Sequence, residues 1–435
     1  MSTLKVNKLR DTSGSTDAIV LDPSGGAVLA GVTTISTARI TTGITTSIQV
    51  GGGVTISESG IEASGIGITC ANINGTQIGG RRNIYINGAM TVAQRGTSST
   101  EQGFKTVDRI KTLQSGPDEV GTQTQGTVAS GTTPYSLGLR KSFKLTNGNQ
   151  TSGAGAADVC RFQSRLEAQD IANSGWNYTD PNSKLTLSFW CKSSVAQNFY
   201  IQLVAYDGST QSYTFETGSL TADTWTKVVH SIPGNSNLQF DNDSNLGLEI
   251  LWYQFQGTDR TTSGHSLNSW AAYASGSQSP DMTSTWYTTN DATWELTGVQ
   301  LEVGDTATSF EHRSIGEELA RCQRYYYQVG PLQSDIFAQG RTDNDNTNMY
   351  VLVHYPVTMR SAPATLTTTG SAGNYDVRRD TTKGCSAVPT ITAASSTHLA
   401  QINCQSSSHG WGTASPMQLQ ADGGGSAFLG FSAEL

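Results

Sequence analysis

Ile56-Ser-Glu-Ser-Gly-Ile61-Glu-Ala-Ser-Gly-Ile66, continued by Ile73-Asn-Gly-Thr-Gln-Ile78, repeats an isoleucine at intervals of five with one slip. It closes a stretch, residues 31–82, made almost wholly of Gly, Ser, Thr and Ile. β-Branched residues separated by turn formers describe very short strands and tight turns. One such strand cannot bury its own apolar side chain, whereas stacked turns or three identical chains wound about one axis can. The stretch therefore reads as the shaft of a fibrous, homotrimeric β-protein. The competing reading is a flexible Gly/Ser/Thr linker, which has no need of a regular isoleucine.

The rest of the composition agrees with extended β-structure. Of 435 residues, 47 are Gly, only 14% are charged and 36% are hydrophobic. Disorder is disfavoured by 8 Trp, 15 Tyr and 12 Phe, gathered mostly in the middle of the chain. A net charge of −8 with no long basic patch speaks against nucleic-acid binding. Cys70, Cys160, Cys191, Cys322, Cys385 and Cys404 are scattered with no CxxC pair, so neither a zinc site nor a disulfide framework is legible. No signal peptide and no membrane span are read, so the expectation is synthesis in a host cytoplasm without membrane insertion.

Residues 1–30 read as a small head, with strands at Leu4–Val6 and Asp17–Leu21 and a turn at Asp22-Pro-Ser-Gly-Gly26. Lys5, Lys8 and Arg10 either meet an acidic dock or are simply solvated. After the shaft, Asn83–Gly96 shows a strand pattern with a hairpin signal at Asn87-Gly88. Residues 83–313 read as a β-sandwich or jelly roll, from alternating runs at Leu185–Cys191, Tyr200–Tyr206, Trp225–His230, Leu248–Phe255 and Trp294–Val303. Residues 314–328 hold the one clear helix: Ser314-Ile-Gly-Glu317 is a capping box, with Ile315, Leu319, Cys322 and Tyr326 on one face. That helix packs on the sandwich or on two symmetry mates. Residues 329–435 read as a separate, smaller β-rich tip domain, whose strongest strand, Met349–Met359, is interrupted at Pro356 and is therefore expected at an edge or bend.

Two signatures then point to a family. Ile86-Asn-Gly-Ala-Met-Thr-Val-Ala-Gln-Arg-Gly-Thr with Thr106-Val-Asp-Arg-Ile110 is the first. Thr297-Gly-Val-Gln-Leu-Glu-Val-Gly, Phe310-Glu-His-Arg and Glu317-Glu-Leu-Ala-Arg-Cys-Gln-Arg-Tyr-Tyr is the second. With the opening Ser2-Thr-Leu-Lys-Val-Asn-Lys-Leu-Arg-Asp-Thr-Ser, the chain resembles tail-fibre and related virion structural proteins of tailed, podovirus-like phages of marine cyanobacteria. Its central segment is similar in layout to jelly-roll carbohydrate-binding modules. The resemblance implies a virion homotrimer whose N-terminus joins a tail, adaptor or other particle protein, and whose far end meets host lipopolysaccharide or another surface glycan.

The sharpest site expectation is a sugar platform. Aromatic faces stack on sugar rings while amides and carboxylates bond the hydroxyls. Trp270, Trp286 and Tyr287, in polar loop-like sequence, are preferred, with Trp252 beside them, over Trp190 and Trp225 in strands; the alternative is that these aromatics fill the core. Asp241-Asn-Asp-Ser-Asn245 and Asp343-Asn-Asp-Asn346 offer oxygen ligands for calcium but read better as polar turns. Glu249, Glu295, Glu302 and Asp223 show no spacing that marks a glycosidase pair. No cofactor, metal or catalytic residue is expected. The leading expectation is adhesion without catalysis, against a polysaccharide-degrading tailspike or a capsid or neck decoration fibre.

Overall fold

A computed structural model describes residues 82–423 and 427–435 in full and, before them, the backbone of eight short strands. The chain divides into two compact units, Met1–Cys70 and Ala71–Leu435. In the first, Lys8–Arg10, Asp17–Leu21 and Ala27–Leu29 form one antiparallel sheet. Lys8 and Arg10 thus lie in a strand, and Lys5 lies outside the described residues. Ser47–Val50, Val54–Ser57 and Gly60–Ala63 form a second sheet in which Ile48 faces Ile56 and Ile56 faces Ile61. The interval of five therefore sets consecutive isoleucines opposite one another across a hairpin, with Ser57 opposite Gly60. Ile66 and Ile78 lie outside the described residues.

The second unit begins with the paired strands Asn72–Ile73 and Thr76–Gln77 and continues into a β-sandwich of two six-stranded antiparallel sheets. The front sheet runs Lys111–Ser115, Val159–Glu167, Leu246–Gln256, Asn198–Ala205, Gln211–Ser219 and Trp270–Ala272. The back sheet runs Thr226–Pro233, Lys184–Ser193, Thr293–Val303, Lys141–Thr146, Thr122–Thr127 and Ser98–Ser99. All five expected strands of this region are present. Alternation explains them: Leu185, Leu187, Phe189 and Cys191 all face inward and are buried. Between the sheets Phe162 stacks on Trp252, centroids 5.4 Å apart and 19° from parallel, and meets Trp294 at 5.3 Å. Each fully buried ring contributes about 2–3 kcal/mol through area alone.

Asn83–Gly96 departs from its sequence reading. It forms no strand, and Asn87-Gly88 makes no hairpin. Asn83 acts instead as a substitute strand for the edge of Thr293–Val303: its side-chain amide donates to the Val299 carbonyl at 3.0 Å and its Oδ1 accepts from the Leu301 amide at 3.0 Å. Asn87, at φ 61°, spends its side chain on the Val92 and Asp108 backbone. An asparagine amide copies a peptide group, so polar residues stitch the segment where a partner strand is lacking.

The helix spans Ile315–Gln323, and Ser314 Oγ accepts from the Glu317 amide at 3.2 Å as the capping box requires. Its buried face is the expected one only in part: Cys322 is buried as expected, but Glu318 takes the place of Ile315. Ile315 is 63% exposed, whereas Glu318 and Cys322 are buried. Glu318 turns inward because its Oε1 accepts from the Asn87 amide at 2.5 Å and Arg313 pairs with it at 3.5 Å. Tyr326 lies beyond the helix and opens the strand Tyr326–Leu332.

Residues after the helix build their own core from a seven-stranded and a three-stranded antiparallel sheet. The larger sheet runs Thr382–Gly384, Tyr375–Arg378, Pro416–Ala421, Ile336–Thr342, Asn348–His354, Leu399–Gln405 and Ala387–Ile391. This tip is fastened to the sandwich by buried charge. Glu434 pairs with Arg95 at 3.3 Å and with Arg109, and Arg109 lies 3.4 Å over the Tyr325 ring. Arg360 donates to the carbonyls of Ser244, Ala433 and Glu434 at 2.7–3.1 Å. Such pairs fix geometry, because removing one partner strands the other charge.

Candidate functional site

On the back sheet's outward side a groove of about 420 Å³ opens to solvent, a size suited to a small ligand. Its floor is Trp190. Alternation along Lys184–Ser193 sends Trp190 outward with Ser188, away from the core. A β-bulge sets the ring's pose: Ser188 faces Gln300 and Trp190 faces Thr297, so Gly298 and Val299 together oppose Phe189. Gly298 has φ +62°, and a Cβ there would stand 2.7 Å from Leu139 Cδ1 and 3.2 Å from Trp190 Cδ1. Only glycine lets the indole and Leu139 close over that backbone.

The opposite wall is the segment Ala307–Phe310 with His312. Glu302, buried in its strand, holds it: Oε1 accepts from the Thr308 amide at 2.9 Å and Oε2 from the Thr308 hydroxyl at 2.6 Å. His312 Nε2 sits 2.8 Å from the Leu137 carbonyl and therefore carries the proton there. Phe310 packs edge-on to His312, centroids 5.0 Å apart. Trp190 and Phe310 remain half-buried, and Leu137 and Lys227 are exposed. The result is two aromatic side chains held in place, with the hydroxyls of Thr308 and Ser309 and one ammonium beside them and Ser188 buried beneath. Fixed aromatics beside hydroxyl-bonding groups suit the amphipathic faces of sugar rings.

The expected platform residues are elsewhere. Trp252, Trp286 and Tyr287 are all buried, so none can offer a face to a sugar. Trp252 stands in the sandwich centre. Trp286 and Tyr287 sit on a short helix, Thr285–Thr288, that plugs the core: Trp286 Nε1 donates to the Thr293 carbonyl at 3.0 Å, and Tyr287 stacks on Phe255 at 4.6 Å. Polar neighbours in sequence concealed an inward turn. Trp270 is half-buried on an edge strand, its Nε1 donating to the Pro233 carbonyl at 2.7 Å, where it ties the two sheets. The structure brings none of the four together as a surface. Trp190, Phe310 and His312 were not singled out as a site, although the alternation around Trp190 already placed it with Ser188, opposite Phe189.

The strand carboxylates are engaged. Glu249 Oε1 accepts from Gln163 at 2.5 Å and Arg165 at 2.6 Å, and its Oε2 from Tyr206 at 2.6 Å. Burial first, then Glu249, drive the Tyr206 phenol far above its ordinary range. Glu295 binds Ser142 and Lys192, both at 2.9 Å. The two Asp/Asn loops close on themselves: Asp243 accepts from the Asn245 amide at 2.9 Å, and Asp345 from the Thr347 amide at 2.8 Å. Hydrogen bonds from Asn348 and Thr347 hold the Asp345 carboxyl far below the usual range. Among the described residues no three His, Cys, Asp or Glu side chains are grouped to hold a metal.

No family model and no curated protein matches this chain. Among solved structures it is similar to the enzymatically active domain of tailspike protein 4 of bacteriophage CBA120, at 13% identity over 51% of this chain and 21% of that one, TM-score 0.28. The match thus spans about a fifth of that tailspike chain. It is also similar to a family 30 carbohydrate-binding module (13% identity, 52% and 91% covered, TM-score 0.23) and to a CBM4 structure (9%, 44% and 77%, TM-score 0.21).

Proposed function

We propose that this chain is a subunit of a phage fibre that adheres to host surface polysaccharide, with the Trp190 groove as its sugar-binding surface. The observation that carries the reading is the pose of Trp190, fixed by the Gly298 bulge and faced by Phe310 across a hydroxyl-bearing rim. In this reading the protein works in the virion, joined to the particle through its first 30 residues, and as a homotrimer. Three weak contacts on one body then act together without any new contact. The three strand carboxylates already saturated by internal donors favour binding over hydrolysis.

Affinity electrophoresis through host lipopolysaccharide polysaccharide tests it. The wild-type chain is retarded, Trp190→Ala is not, and the polymer keeps its length. Unaltered retardation of the Trp190→Ala chain, or a shortened polymer, refutes the reading. Sedimentation tests the trimer: a stable species at 46.1 kDa contradicts it.

A further inference from the structure

The seven-stranded tip sheet covers its core with one face and leaves the other open. Inward, Met349, Val351, Val377, Ile402, Cys404 and Leu419 are buried. Outward, strand register lines up two rows, each crossing five strands. One is Arg378, Gln418, Gln339, Leu352 and Gln401. The other is Pro416, Arg341, Tyr350, Asn403 and Thr390. Five strands span about 19 Å. Leu352 is 44% exposed at the centre of this face. Arg341 and Arg378 are exposed, and among the described residues neither has a carboxylate within ion-pair distance. A cleft of about 290 Å³, lined by Gln339, Arg378, Arg379 and Gln418, indents one end. The Asn403 Oδ1 atom is buried without a partner.

We propose that this face binds an acidic polysaccharide, with Arg341 and Arg378 taking sugar carboxylates and Gln339, Gln418 and Asn403 the hydroxyls. Two exposed guanidiniums with no carboxylate in ion-pair distance among the described residues offer positive charge to an anionic ligand on this face. The guanidinium fork matches a carboxylate with two parallel hydrogen bonds. Gln418 and Gln339 on adjacent strands, about 4.8 Å apart, and Gln401 and Asn403 two strands further on present amide donors and acceptors at register positions fixed by the sheet. Tyr350 and Leu352, two apart on one strand and so on the same face, supply the apolar patch that a sugar ring's C–H face needs. The inference deepens the glycan reading by adding a second, charge-selective site on a different sheet.

The test is binding of the full chain to polygalacturonate, with neutral dextran and duplex DNA as comparison polymers. Polygalacturonate binds, weakened about tenfold or more by Arg341→Ala or by Arg378→Ala. Tyr350→Ala weakens binding while its salt dependence stays as in wild type. All three variants keep the wild-type unfolding midpoint, since the side chains stand outside the core. Absence of binding, equal binding by the arginine variants, or equal binding to DNA overturns the proposal, as does a changed sedimentation coefficient in the arginine variants, which assigns the face to a second copy. Trp190→Ala separates the two readings: it leaves polygalacturonate binding intact if the tip site is real, whatever becomes of the groove.

Discussion

Arg324 grips Glu167 with two parallel hydrogen bonds, Nε to Oε1 and Nη2 to Oε2, each 2.7 Å long. Glu167 belongs to the front sheet and is buried; Arg324 follows the helix at the start of the tip. Tyr325 adds a third bond to Oε1 at 2.6 Å. Burial raises the Glu167 pKa, but the bonds from Arg324 and Tyr325 outweigh it and leave the carboxyl below its ordinary value. Arg324→Ala is expected to lower stability by about 3 kcal/mol, because it abandons a buried carboxylate. A urea midpoint unchanged from wild type would show the pair to be inert.

Asp108 gives an opposite pH dependence. Burial pushes it up to about 6, against the pull of Arg95 and Gln94. A carboxyl raised on folding stabilises below its unfolded value near 4, and that stability is lost as pH rises toward 6. Asp108→Asn should therefore gain on wild type across that window, by up to about 3 kcal/mol. Parallel stability profiles for the two proteins between pH 4 and 7 would remove Asp108 from the account.

Gly298→Ala puts a methyl against Leu139 and Trp190 at a positive φ. A cost of about 1–3 kcal/mol is expected, together with loss of polysaccharide retardation as the indole is displaced. Intrinsic fluorescence checks the displacement; an unshifted tryptophan spectrum in a folded variant speaks against the bulge as the device that poses the ring.

Cys160, Cys191, Cys322, Cys385 and Cys404 are free and buried. Burial pushes the Cys160 and Cys191 thiols up to about 12. All five should resist iodoacetamide in the native protein and react once it is unfolded. Rapid native labelling at any of them, read by peptide mass, contradicts the packing described.

Trp286→Ala, by contrast with Trp190→Ala, removes a core plug. A loss of about 3–5 kcal/mol is expected. A well-folded Trp286→Ala chain with selectively weakened glycan binding would restore Trp286 to the site.

Alternating runs rich in apolar, aromatic and β-branched residues made the sandwich strands legible, although Leu246–Gln256 and Thr293–Val303 turn out to be buried on both faces. Ser314 and Glu317 announced the helix start, and Pro356 the end of Asn348–His354. What the sequence hid were choices made by tertiary contact. Asn87-Gly88 carries the chemistry of a hairpin, yet no second strand arrives, and the Asn87 side chain takes the vacant hydrogen bonds. Glu318 looks solvent-bound by type and turns inward toward Arg313 and Asn87. Polar neighbours around Trp286 and Tyr287 suggested a surface loop, but a single helical turn tucks both rings inside. Trp190 is the opposite case: its strand suggested interior, and its parity within that strand put it outside.

The fastening at Glu434 and Arg360 reaches further than stability. With guanidiniums locked onto carbonyls of both halves, the joint has no slack to absorb a pull. A force applied to the tip therefore reaches the sandwich directly, and the two sheets-and-core halves move as one lever rather than as two hinged pieces.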